Sequence, residues 1–204
     1  YPCDSMVPNS ALIITSLHTG YVQHIDVQAL GAIAKADETR IFLEVLPGSF
    51  VHVGMPLARI VSLSKPREGE QQSSSEKIIS TLTIGVRRTF EHDPRFGLSV
   101  LSEIASRALS PAVNDPGTAI DVIGRGIRSL TCWGKPKAPA AKIDTDCQQV
   151  YLRALTVDDL FDDFFAPIAR DGAGLVEVDL RMMKALVCLA QINPAMFSSA
   201  CTRH

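Results

Sequence analysis

The densest set of ionisable and hydrogen-bonding side chains lies between residues 87 and 118. Two elements contain them, reading R-R-T-F-E-H-D-P-R-F-G from position 87 and R-A-L-S-P-A-V-N-D-P-G-T-A from position 107. Arginines beside carboxylates can bind an anionic ligand, or can pair with those carboxylates and fix the geometry of a loop. The candidate ligand-binding residues are Arg88, Thr89, Glu91, Asp93, Arg107, Ser110, Asn114, Asp115 and Thr118.

No particular reaction follows from these residues. Asn114-Asp115-Pro116 predicts a helix start, with Asn114 or Asp115 as the N-cap and proline just inside the helix. A capping Asp occupies the helix amides and would repel a phosphate there. The sequence has neither His-x-x-x-His nor a Gly-rich phosphate loop. We therefore assign no catalytic residue, expect no metal and no cofactor, and favour structural ion pairs over a ligand site.

Composition narrows the class of protein. The chain has 204 residues, 46% of them hydrophobic, and a formal net charge of -2. This length allows one to two domains, and the near balance of charge predicts no nucleic-acid partner. No run approaches the eighteen apolar residues that a membrane-spanning helix needs. The five cysteines are widely spaced without a C-x-x-C pair, which favours free thiols in a reducing compartment.

The apolar pattern predicts an α+β protein in three parts. Residues 1–64 show short strands separated by Pro-Gly and Gly, so we expect a small β module. The sequence around Pro47-Gly48 resembles the hammerhead turn of biotinyl- and lipoyl-type barrel-sandwich modules. Lys35 lacks the surroundings of a carrier lysine, so we expect that fold without its prosthetic group. Residues 65–77 are polar and Ser-rich, which predicts a linker.

Residues 78–204 are predicted to form a mainly helical domain. The helical spacing of apolar residues begins at Ile78, Leu82 and Val86, and becomes cleaner after Phe96. Thr156 and Asp159 fit a capping box at the start of a later helix. That helix carries a phenylalanine cluster wide enough to cover more than one face, from which we expect a homo-oligomer: Phe161, Phe164 and Phe165.

Four stretches together resemble a family of predicted bacterial inner-membrane proteins, domain-of-unknown-function family 2254. Its R-T-x-x-x-D-x-x-F-G and R-A-L-S-P-x-x-N-D-P-x-T-A elements match residues 88–97 and 107–119. Its G-Y-V-Q-x-I-D and P-G-x-F-V-x-x-G-x-P-L elements match residues 20–26 and 47–57. The resemblance becomes weaker after Leu130. It implies membrane helices on the amino-terminal side, absent from this chain, so that Tyr1 marks an internal boundary and the chain is the soluble carboxy-terminal part.

The resemblance implies a location but no reaction. An even number of preceding spans would place the chain in the cytoplasm, on the inner membrane, which agrees with free thiols. We therefore expect a cytosolic sensing, regulatory or interaction domain, attached to the membrane through those helices. The alternative is an enzyme acting on an anionic small molecule around Arg88, Asp93, Asn114 and Asp115. An enzyme predicts that these side chains converge on an open pocket with an unpaired carboxylate.

Overall fold

The computed structural model describes residues 7–8, 11–63, 70–135 and 149–204, with the backbone alone at 70–73. In chain order its elements are β1 Leu12–Thr15, β2 Gly20–Ile25, α1 Val27–Ala36, β3 Thr39–Leu43, β4 Phe50–Val51, β5 Pro56–Ser62, α2 Glu70–Ser80, β6 Leu82–Gly85, α3 Pro94–Leu109, α4 Pro116–Trp133, β7 Val150–Tyr151, α5 Val157–Gly172, α6 Val176–Ile192 and α7 Pro194–Arg203. The predicted α+β class is confirmed. The chain divides into two compact units, residues 1–93 with 139–155 and residues 94–138 with 156–204.

The first unit contains two small sheets. One has the strand order β1-β5-β3-β7 and the other β4-β2-β6. Neighbouring strands are antiparallel, except that β7 pairs parallel to β3. Apolar side chains from both sheets and from α1 form one core, which includes the fully buried Leu30, Ile41 and Leu57. The expected barrel-sandwich arrangement of the β module is not confirmed.

The helical interpretation of residues 78–86 is wrong beyond Ser80. Helix α2 ends there, and β6 follows as a strand that pairs Leu82 with Ile25 of β2. The spacing of Ile78, Leu82 and Val86 fits a helix, but Leu82 and Ile84 also alternate as a strand requires. The strand forms because its backbone can hydrogen-bond to the edge of β2, and this tertiary pairing overrides the local helical pattern. Helix α2 also occupies 70–77 of the predicted linker, whose residues 65–69 lie outside the described part of the chain. The predicted division at 65–77 therefore differs from the division at Asp93.

The second unit is helical in the described residues. Thr156 begins α5 with the predicted capping box: its hydroxyl accepts from the Asp159 amide at 3.1 Å, and the Asp159 carboxylate accepts from the Thr156 amide at 3.1 Å. The three phenylalanines of this helix are wholly buried within their own unit, so they offer no surface to another subunit, contrary to our expectation; they are Phe161, Phe164 and Phe165. The homo-oligomer itself stays a prediction.

Candidate functional site

Asp93 is a buried carboxylate at the end of the first unit. It is 2% exposed, and its Oδ2 accepts a hydrogen bond from Nε of Arg88 at 2.7 Å. Arg88 and Asp93 both lie in the short segment between β6 and α3, so the ion pair links the two ends of this segment. The structure thus brings these two candidate residues together as an ion pair.

The carboxylate of Asp93 lies against a turn that contains Gly48. Gly48 has a φ of +90°, a conformation that favours glycine, and its amide donates to the Val22 carbonyl at 2.7 Å. A Cβ atom on Gly48 would overlap the Asp93 carboxylate. The turn is anchored to β2, and Gln23 of that strand donates through Nε2 to the Arg87 carbonyl at 2.7 Å. Gly48 and Gln23 thus belong to this arrangement; both lie in elements that carry the family resemblance, but no local signal links them to Asp93.

The two other candidates of this segment stand apart from the ion pair. Glu91 is exposed and Thr89 is half-buried. Within the described part of the chain, neither makes a hydrogen bond or ion pair. The imidazole of His92 contacts that of His24, with ring centroids 4.7 Å apart. Described residues contain no group of three or more His, Cys, Asp or Glu side chains that could hold a metal ion.

The second motif element forms the turn between α3 and α4. The Ser110 hydroxyl donates to the Arg107 carbonyl at 2.7 Å, and the Asn114 amide donates to the Ser110 carbonyl at 2.8 Å. Asn114 has a φ of +48°, where Asn is more readily accommodated than most residues. Arg107 is exposed, and its guanidinium has no hydrogen-bond or ion-pair partner among the described residues. The element is therefore built mainly from bonds within one turn.

Asp115 is the N-cap of α4, which is one of the two alternatives that the sequence predicted. Its carboxylate accepts from the Thr118 hydroxyl at 2.6 Å and from the Thr118 amide at 3.1 Å, and Pro116 begins the helix. These bonds from Thr118, the hydroxyl first and the amide second, lower the pKa of Asp115. Asp115 and Thr118 are thus brought together, and the carboxylate is used for capping.

A groove lined mainly by polar residue types lies in the second unit and was not predicted from the sequence. It measures 470 Å³ and is lined by Ser99, Ser102, Glu103, Ser106, Asp162, Asp163, Pro167 and Arg170, from α3 and α5. Ser102 is 2% exposed, and its hydroxyl has no hydrogen-bond partner in the part of the chain that the structure describes. Next to the groove, bonds from Arg170 and then from Ser106 lower the pKa of Asp171 to about 2. The helical spacing of Ser99, Ser102 and Ser106 is the sequence signal that could have revealed the groove.

If Asp115 acts as a cap, replacing it by Asn should change stability little, because Asn caps nearly as well as Asp. Asp115→Ala should lower the thermal midpoint by about 2–4 °C. The wild-type cap has a lowered pKa, so its contribution should be complete at neutral pH and fall away as the pH drops through that pKa. Calorimetry between pH 2 and pH 7 measures these differences. The capping role is contradicted if Asp115→Asn and Asp115→Ala lower the midpoint equally at neutral pH.

These observations define the class of protein: an α+β chain with two compact units, in which the motif residues stabilise turns and the start of a helix. No helix among the described residues is long and apolar enough to cross a membrane. A family model described as "Predicted membrane protein (DUF2254)" matches residues 2–187. The chain belongs to this family of predicted membrane proteins.

The relatives are described only as uncharacterized proteins. Uncharacterized proteins of Mycobacterium bovis and Mycobacterium tuberculosis are each 34% identical to the chain over 116 residues, which is 57% of this chain and 22% of the relative. The chain thus aligns with about a fifth of the length of these relatives. No solved structure matches it significantly.

Proposed function

We propose that this chain is a regulatory domain of a bacterial inner-membrane protein, lying outside the membrane on its cytoplasmic side. The family provides the membrane context, since its model describes predicted membrane proteins. One observation favours a regulatory role over catalysis: the two motif carboxylates already make structural contacts with nearby residues. Asp93 pairs with Arg88, and Asp115 caps α4.

The alternative, an enzyme acting on an anionic small molecule, receives less support from these contacts. It requires Arg88 to be available to the substrate and a carboxylate to be available as an acid or base. The Arg88 guanidinium already binds Asp93, and the Asp115 carboxylate already accepts two bonds from Thr118. Asn114 serves the turn through its backbone conformation and its amide.

Free cysteines support the proposal that the domain lies on the cytoplasmic side of the membrane. The cysteines of the described residues, Cys132, Cys188 and Cys201, are free, as expected in a reducing compartment. Cys132 is exposed near the end of α4, so it can report which side of the membrane the domain faces.

Labelling of Cys132 tests this orientation. The full-length membrane protein, with Cys132 as its single cysteine, is treated with a membrane-impermeant maleimide in spheroplasts and in inside-out vesicles. We expect modification in the inside-out vesicles and none in intact spheroplasts, because the domain then faces the cytoplasm. The same protein with Cys132→Ser gives the background. Modification in intact spheroplasts would contradict the orientation.

A further inference from the structure

Helix α6 carries apolar side chains on two opposite faces. One row is buried in the second unit, at Val178, Met182, Ala185 and Leu189. The other row is 50–66% exposed, at Val176, Leu180, Met183 and Val187. The rows are offset by two residues, which is about 200° around a helix. The second row, which we call the outer stripe, therefore points away from the core of its own unit.

The outer stripe has the spacing of a coiled-coil seam. Its residues follow one another at intervals of four, three and four, which are the d-a-d-a positions of a heptad repeat. A helix that is apolar on both sides is normally covered on both sides. Because a heptad seam complements an identical seam, the spacing points to a second copy of α6 as the cover.

Charges beside the stripe indicate how two copies would align. In this register Asp179 occupies a g position and Lys184 the following e position, five residues later. Both side chains are exposed, and neither has a partner in the described part of the chain. Residues five apart do not face each other on one helix. In a parallel pair, however, each g residue lies beside the next e residue of the partner, so opposite charges meet twice. An antiparallel pair would bring Asp179 towards the partner's Asp179.

We propose that α6 forms a parallel two-stranded contact with α6 of a second copy of this chain. Its core is the outer stripe, and Asp179 of each copy pairs with the partner's Lys184. This proposal deepens the regulatory role and rests on it, since it names the partner of the domain. It also assigns the expected homo-oligomer to a surface other than the buried phenylalanine cluster. Two heptads bind weakly alone, and attachment to one membrane would raise their effective concentration.

Charge reversal tests both the surface and the alignment. Sedimentation equilibrium of the chain at low ionic strength compares the wild type with Asp179→Lys, Lys184→Asp and the double variant. We expect each single variant to weaken dimerisation about fivefold, because two attractive pairs become repulsive. The double variant should recover the wild-type constant, because both pairs are restored with their signs exchanged. Leu180→Asp should abolish the dimer while the thermal midpoint is retained.

Disulfide trapping provides a second, independent readout. In a chain whose native cysteines are replaced by serine, Met183→Cys should cross-link readily, because the same d residue of each copy meets at a parallel seam. A chain that retains only Cys188, which lies off the seam on the same helix, is the matched control. The proposal is overturned if the wild type stays monomeric at millimolar concentration, if the double variant does not recover, or if the Cys188 control cross-links as well as Met183→Cys. None of these outcomes alters the Cys132 labelling, which tests the orientation separately.

Discussion

Replacing Arg88 by methionine should lower the unfolding free energy of the first compact unit by about 3 kcal/mol. Asp93 is 2% exposed and Arg88 is 22% exposed on its side chain, so water replaces little of the lost attraction. Removing one partner of a buried ion pair typically costs 3–5 kcal/mol, because the other charge stays in a poorly hydrated site. Asp93→Asn should cost less than Arg88→Met, since an amide can still accept from the guanidinium. Amide hydrogen exchange of β2 and β6 measures the change within this unit.

A double-mutant cycle isolates the pair. Arg88→Met combined with Asp93→Asn should cost less than the sum of the two single changes, because the second substitution removes the buried negative charge that Arg88 neutralises. Arg125→Met is the matched control, measured by amide exchange of its own helix α4: its ion pair with Asp121 is similarly short, at 2.6 Å, but both side chains are more than half exposed. That variant should lose no more than about 0.5 kcal/mol. Equal losses at Arg88 and Arg125 would show that burial of the pair does not matter.

Signals confined to a few residues were read correctly from the sequence. The capping box at Thr156 and the N-cap at Asp115 each involve groups three residues apart, so their hydrogen bonds form whenever the helix forms. Arg88 and Asp93 are five residues apart and pair across one short segment. The α+β class likewise follows from the change between strand and helix periodicity along the chain.

Contacts between distant residues could not be read in this way. Gly48 and Asp93 are 45 residues apart, and nothing local to either indicates that the turn receives the carboxylate. Strand β7 has only two residues and pairs with β3, although α3 and α4 lie between the two strands in the sequence. Its sheet partner is therefore about a hundred residues away, and no local pattern indicates it. In each case the partner that decides the structure lies outside the local pattern.

A second large effect is expected where α4 meets α5. A Cβ atom on Gly126 would overlap the ring of Phe164, which is fully buried, so the ring fills the space that glycine leaves. Phe164→Ala should lower the unfolding free energy of the second unit by about 4 kcal/mol through the lost burial and the remaining cavity. Gly126→Leu alone should cost about 2 kcal/mol, because the ring cannot move without disturbing Phe161 and Phe165.

The combination of these two substitutions tests whether they share one space. Gly126→Leu with Phe164→Ala should be more stable than Phe164→Ala alone, since the leucine enters the cavity and a helical glycine is removed. Gly124→Ala is the matched control on the same helix: its nearest neighbour is the far end of the Arg181 side chain, which needs to shift only slightly, so the variant should be neutral or stabilising by up to about 1 kcal/mol. Urea unfolding followed by fluorescence of Trp133, which lies in this unit, measures all four variants. If the loss of unfolding free energy in the double variant equals the sum of the two single losses, residues 126 and 164 do not share one space, and this explanation of Gly126 is wrong.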